Sequence, residues 1–351
     1  MDQAAGNGIG GRWLLIGASA VVLLAGLKAA QSLLIPFLLA LFLAIICAPV
    51  VSWLARHRVP VGAAVLMVML VLLALFSGFG AVVGGSVNEF ATFASQYQGR
   101  FDELVATLSA WLEAHKIDTG SLDAVSMLQP GRLMNLLGGA LRSLAAVLSN
   151  LFLILLTMIF LLLEAASLPA KMQAIGGGRF DLEQLRKIVT QVQRYLAIKT
   201  ATSLVTGVLI GVWTAVVGLE FAVVWGLLAF LLNYIPNLGS IVAAVPAVFL
   251  ALVQEGVAYA ALVAIGYVLV NVGIGNFAEP YLMGRIAGLS TLVVFLSLVF
   301  WGWMWGSIGM LLSVPLTMIL KILFENTDDL RWVAILLDSR RGVITQIKAG
   351  A

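Results

Sequence analysis

Charge is what this sequence has least of. Lysine, arginine, aspartate and glutamate together make up 11% of its 351 residues, hydrophobic residues make up 62%, and the mean hydropathy is +1.07. Soluble domains carry roughly a quarter charged and about half apolar residues, so a water-soluble globule is excluded. The formal net charge of +3 is scattered through short loops and offers no surface for nucleic acid. A single cysteine, Cys47, excludes a disulfide framework and reads as a small buried hydrophobe. The two histidines, His57 and His115, lack the spacing of metal ligands and read as solvated loop residues. No Gly-x-x-x-x-Gly-Lys-Ser/Thr loop occurs, so ATP is not the expected energy source. No Gly-x-Ser-x-Gly elbow occurs either. An intramembrane enzyme is therefore the weakest class, and neither a cofactor nor a metal is expected.

What the sequence has in abundance is long apolar runs. Runs of about 18 residues or more recur, each able to cross a hydrocarbon core of roughly 30 Å, which predicts an all-α polytopic membrane protein. Residues 1–87 hold three spans: Trp13 to Leu27, Leu33 to Leu54 with Pro36 in its first turn, and Val61 to Val83. The first lacks a small-residue cleavage site and reads as retained rather than as a signal peptide. Residues 88–144 change character, with six acids against four bases up to Arg142. Phe101, Leu104, Val105, Leu108, Trp111 and Leu112 recur there at helical spacing, as in an amphipathic helix on a membrane surface or a neighbouring subunit. A fourth span occupies 145–166. Residues 167–199 form a second amphipathic helix, with Asp181 as N-cap and Phe180 stapled to Leu185. Six bases, from Lys171 to Lys199, lie there against two acids. The positive-inside rule places this segment, the Arg56/Arg58 turn, the 325–351 tail and both termini in the cytoplasm, with 88–144 outside.

From Thr200 to Phe324 only Glu220, Glu255, Glu279, Arg285 and Lys321 are charged. Within this stretch the chain interrupts itself twice. A single helix between Glu220 and Glu255 would measure roughly 51 Å, too long for one crossing, yet two full crossings do not fit. Two half-helices joined near Asn233–Gly239 do fit. Irregular backbone at membrane depth survives only where protein or a watery cavity satisfies it. Asn233 and Asn237 supply donors and acceptors, Pro236 disfavours helix before it, and Gly239 permits a turn. Gly306-Ser307-Ile308 with Val314-Pro315 echoes Gly239-Ser240-Ile241 with Val245-Pro246. Paired breaks of this kind point to a transporter binding site, the alternative being kinked helices packed for shape. Trp301, Trp303 and Trp305 read as an interfacial belt or a cavity lining, the belt being preferred. Glu279, at the end of the intervening span, is a wetted terminus or a carboxylate in a partly dry cavity. In the second case it pairs with Arg285 or a cation, or carries a proton.

Three stretches, "LLNYIPNLGSIVAAVPAVFLAL", "NFAEPYLMGRIAGLSTLVVFLSL" and "GSIGMLLSVPLTMILKIL", together with "LLIPFLLALFLAIICAPVVSWLARHRVP", resemble the autoinducer-2 exporter (AI-2E) family of bacterial inner-membrane permeases. The resemblance covers nearly the whole chain except 88–142 and the tail. It implies about eight membrane segments, export of a small polyol-like furanone in some members and sodium(lithium)/proton antiport in others. The family's Ile-Pro-x-x-Gly motif falls on Ile235, Pro236 and Gly239, its Asn-x-x-x-Pro stretch on Asn276 and Pro280, and its late glycine motif on Gly306, Gly309 and Pro315. A family His-Pro pair is missing: this chain reads Leu289-Ser290-Thr291 there.

The expected function is secondary transport of a small polar solute. Its site would be Asn233, Pro236, Asn237, Gly239, Asn276, Gly306 and Gly309, with Glu279 and Arg285 coupling protons or sodium. A proton/ion antiporter and a non-transporting membrane scaffold are the alternatives. The expected partners are the lipid bilayer, the solute and further copies of the chain in a homo-oligomer.

Overall fold

The computed structural model describes residues 6–114, 150–174, 182–236, 238–283, 288–325 and 327–338. Every regular element among them is a helix, as a chain whose backbone must satisfy itself in lipid requires. The first three are α1 (Gly6–Ala29), α2 (Gln31–Arg56) and α3 (Val61–Ala114). α4 (Leu151–Ala174) and α5 (Leu182–Val217) follow. Among the described residues, six segments are long and apolar enough to cross a membrane, and three shorter apolar helices accompany them. The bilayer-facing surface is greasy: Leu14, Val22, Leu70, Leu75, Phe152 and Val216 are all more than half exposed.

Two helices run on where the sequence suggests a change of element. α3 holds 54 residues, of which only Val61–Val82 are apolar enough to cross. With no proline to stop it, the helix continues to Ala114, roughly 48 Å beyond its apolar part. In the same way α5 passes from the basic stretch into the fifth span without a break. The expected N-cap Asp181 lies outside the described residues. The continuity of α5 carries Lys199 out of the loop inventory into the span Ile188–Val217, where it is 3% exposed.

Among the described residues the core has three apolar centres. α2, α3 and α4 meet around Ala40, Ala44, Ala64, Val65 and Met158. The other two are built on α5, and each holds one of the breaks.

At the first break, α6 (Ala222–Leu232) and α7 (Leu238–Glu255) form a hairpin. α6 has 11 residues, about 16 Å, and cannot cross. It starts beside the end of α5. α7 ends at Glu255, and the Tyr259 hydroxyl just beyond donates to the Val217 carbonyl at 3.0 Å. The chain thus leaves and re-enters at one level. Its tip reaches inward to Thr200 and Ser203 of α5, roughly 21 Å from Val217: Asn233 Nδ2 donates to Ser203 Oγ at 3.0 Å and Tyr234 Oη to Thr200 Oγ1 at 2.7 Å. A Cβ on Gly239 would overlap the Leu232 carbonyl, so only glycine allows the two limbs to meet this closely.

The second break lies in α10 (Thr291–Glu325), reached through α8 (Val257–Asn271), a π-helical turn (Val272–Ala278) and α9 (Glu279–Met283). Trp305 (φ −133°, ψ 20°) and Gly306 (φ 63°, ψ −146°) leave helical geometry, the second in a region open to glycine alone. Trp301 Nε1 donates to Thr317 Oγ1 at 3.0 Å. Sixteen residues of unbroken helix would hold those groups about 24 Å apart, so residues 291–304 and 307–325 are antiparallel limbs. As at Gly239, a Cβ on Gly309 would strike the carbonyl of the preceding limb, here that of Trp301.

Between the hairpin bases runs the single crossing Val257–Met283. The bases of the two hairpins therefore lie at opposite ends of this segment. The base of the second is fastened by a short return: α11 (Arg331–Leu337) follows a 3₁₀ turn, Ser290 N donates to Leu337 O at 3.2 Å, and Leu289 bridges Asp338. Lys321 pairs there with Asp338 at 3.1 Å and Glu325 at 3.4 Å, and donates to Gly288 O at 3.0 Å. A lysine 8% exposed needs that many acceptors.

Candidate functional site

A cavity of about 740 Å³ lies between α7, α8 and the π-helical turn, with the tip of the first hairpin at one end. Its mouth is apolar: Ile241, Val245 and Val268 line it and each is more than half exposed. Its polar groups are few. Asn233 and Ser240 come from the hairpin, Lys199 from α5, and Tyr267, Asn271, Asn276 and Glu279 from α8 and its continuation. Mostly apolar walls with a small number of placed polar groups are the usual makeup of a small-molecule site.

The strongest interaction in it is an ion pair. Lys199 Nζ lies 2.7 Å from Glu279 Oε1, with the two side chains 4% and 18% exposed. Sequence reading offered Arg285, a cation or a proton for Glu279, and Arg285 lies outside the described residues. The lysine comes from 80 positions upstream, and only the antiparallel packing of α5 against α8 and α9 brings the two together. The π-helical turn just before Glu279 widens the helix where the cavity passes, a feature that recurs at functional sites.

Of the residues proposed from sequence, Asn233, Pro236, Asn276 and Glu279 line the cavity. Gly239 serves the hairpin turn beneath it. Asn237 and Arg285 lie outside the described residues. Gly306 and Gly309 belong to the second hairpin and do not line this cavity. The three tryptophans divide. Trp303 is 57% exposed and lies under the Lys28 ammonium, 4.0 Å from its ring centroid, as a belt residue would. Trp301 and Trp305, by contrast, are buried, and Trp305 Nε1 donates to the Leu27 carbonyl at 3.3 Å. The belt reading fails for those two because the hairpin folds them inward.

Lys199, Tyr267 and Asn271 were missed as site residues. Their signal was faint: a lone base at the edge of an apolar run, and two polar residues four apart on one face of α8.

Residues 18–329 match the profile of the AI-2E family transporters. The chain is 41% identical over 318 residues to "AI-2 transport protein TqsA" of Escherichia coli (strain K12), covering 90% of this chain and 92% of the relative. It is 38% identical over 333 residues to a Haemophilus influenzae protein named "Putative transport protein", covering 93% of this chain and 96% of the relative. It is 36% identical over 325 residues to the E. coli K12 "Putative transport protein YhhT", covering 92% and 93%. A match over most of the chain, on a polytopic helical fold, settles the family: this chain is a member of the AI-2E transporters.

Proposed function

We propose that the chain is a secondary transporter of a small polar solute, which it binds in the cavity beside the first hairpin and moves under an ion gradient. The observation that carries this reading is the Lys199–Glu279 pair in the wall of a cavity of about 740 Å³, lined by three carboxamides, in a helical membrane protein. The name of the Escherichia coli relative makes autoinducer-2-like furanones the first solutes to test. The membrane is a bacterial inner membrane with both termini cytoplasmic. This orientation follows from the basic loops and the positive-inside rule.

The pair suggests how an ion could drive the cycle. A proton on Glu279 cancels the carboxylate and leaves the Lys199 ammonium unpaired in a wall with little water. Breaking a buried pair on one side costs about 3–5 kcal/mol. Any rearrangement that wets Lys199 is then favoured, and the return of the carboxylate reverses it. Sodium competing for the same carboxylate would act alike. That competition also supports the second reading, sodium(lithium)/proton antiport, in which Glu279 is the whole site.

The test is flux into proteoliposomes made with the full chain, comparing a furanone signal, simple polyols and sodium, with and without a pH gradient. Solute uptake that responds to the gradient supports the main reading. In that reading Glu279→Gln keeps downhill solute movement and loses gradient dependence. Loss of all flux in that variant at every pH supports antiport. No flux of solute or ion by the wild-type protein overturns both and favours a membrane scaffold.

A further inference from the structure

The cavity beside the first hairpin has two ends of different chemistry. Its polar groups gather at the hairpin tip, where Asn233, Ser240 and Asn276 share one end with the Lys199–Glu279 pair. Away from the tip its walls are Val245, Val248 and Leu252, spaced along one face of α7, with Ala264 and Val268 on α8. The hydroxyl-bearing Tyr267 in that stretch is packed in the apolar cluster of α5, α7 and α8. The cavity is thus amphipathic along its length.

The apolar end opens on the side of the protein. Acids stay out of the hydrocarbon core, so Glu220 and Glu255 set the base of the hairpin near the membrane interface. Val245 and Val268 stand eleven and twelve residues from Gly256, roughly 16–18 Å along their helices. That distance reaches the middle of a core roughly 30 Å thick. Both residues are more than half exposed, and so are Val242, Ile265 and Leu269 beside them, which do not line the cavity. Neither 238–254 nor 256–278 holds a charged residue. The rim is therefore continuous with a greasy outer surface, and alkyl chain rather than water meets it.

The two ends specify the occupant. Lys199 and Glu279 cancel each other's charge, so a charged head would find no counter-ion. Two carboxamides and the Ser240 hydroxyl instead offer donors and acceptors to an uncharged polar head. A volume of about 740 Å³ suits a molecule of drug size, a small head with one chain.

We infer that the cavity opens sideways into the bilayer and takes a single-chain amphiphile with an uncharged, hydrogen-bonding head. The head lies at Asn233, Asn276 and the ion pair, and the chain runs along Val245, Val248 and Leu252. As the class of solute moved, the amphiphile rests on the transport reading above, and its route to the site runs through lipid.

The test uses the full-length protein in liposomes of phosphatidylethanolamine and phosphatidylglycerol, with a dodecyl glucoside carrying a photoreactive diazirine on its chain. Labelled residues are located by mass spectrometry after illumination, and transbilayer movement of the same glucoside is followed in the dark. Adducts on 245–252 and 264–268 are expected to exceed several-fold those on Leu204, Val208 and Val212, exposed α5 residues that do not line the cavity. Excess unmodified dodecyl glucoside is expected to remove the cavity adducts, and glucose at the same concentration to leave them. Val248→Trp, which fills the apolar end, is expected to lose them and keep the α5 adducts. Equal labelling of all three helices that the competitor does not reduce is bulk lipid. It overturns the inference and leaves the transport reading standing. Labelling of α5 without adducts on 245–252 or 264–268 also overturns it, because another protein surface then covers the mouth. Displaceable cavity adducts without movement of the glucoside, a furanone signal or a simple polyol overturn the transport reading, and with it the amphiphile's part as solute.

Discussion

The two hairpins share one construction and differ in what surrounds it. Each turns back on itself at a break in the helix, and each uses a glycine, Gly239 or Gly309, to let one limb touch the backbone carbonyl of the other. In the first hairpin the tip is polar and lies on α5, with Asn233 and Tyr234 bonded to Ser203 and Thr200, and a cavity opens beside it. In the second the tip is closed by indoles: Trp301 bonds across the hairpin to Thr317, and Trp305 reaches the α1 backbone. A broken helix is therefore not by itself a binding site. Freed backbone and small residues only permit a close turn, and the side chains around the tip decide whether it is wet or packed.

The largest effect in that comparison is expected at the ion pair. Glu279→Ala should destabilise the protein by about 3–5 kcal/mol, because it strands the Lys199 ammonium. The double change Lys199→Met with Glu279→Met should restore most of that stability while the response of flux to the ion gradient stays lost, as read by thermal unfolding alongside proteoliposome uptake. If the double variant transports normally, the pair is structural and the two hairpins are functionally alike.

Next come the close approaches. Gly239→Ala and Gly309→Ala each push a methyl group into a backbone carbonyl, and each should cost about 1–3 kcal/mol. Only the first is expected to change KM as well, since only that hairpin borders the cavity. Equal loss of solute affinity in both would extend the site to the second hairpin.

The indole bond is smaller. Trp301→Phe removes the bond to Thr317 and should lower stability by about 1 kcal/mol with little change in transport. A transport defect larger than the stability loss would give the second tip a part in the cycle. The finest test is chemical. In a background lacking Cys47, a cysteine at Ser240 in the cavity wall should react with small water-soluble thiol reagents, and one at the fully buried Ser313 should not. Equal labelling would mean that water reaches both hairpins.

Much of this was legible in the chain itself. Length arithmetic between Glu220 and Glu255, with Asn233, Pro236 and Gly239 inside, foretold two half-helices. The Gly-Ser-Ile and Val-Pro echo foretold the second break. Glu279 stood out because an acid is costly near the membrane interior. Lys199 did not, because hydropathy reads a base at the edge of an apolar run as loop.

The sequence by itself determined the all-helical membrane class of the protein and the positions of both breaks. These follow from local properties: apolar runs of membrane length, helix-breaking residues, and the rule that lipid cannot satisfy a free backbone. Tertiary structure alone decided which base meets Glu279, which hairpin borders a cavity and which tryptophans turn inward. Those outcomes depend on packing between residues 16 to 278 positions apart, and no local pattern in the chain encodes which faces will meet.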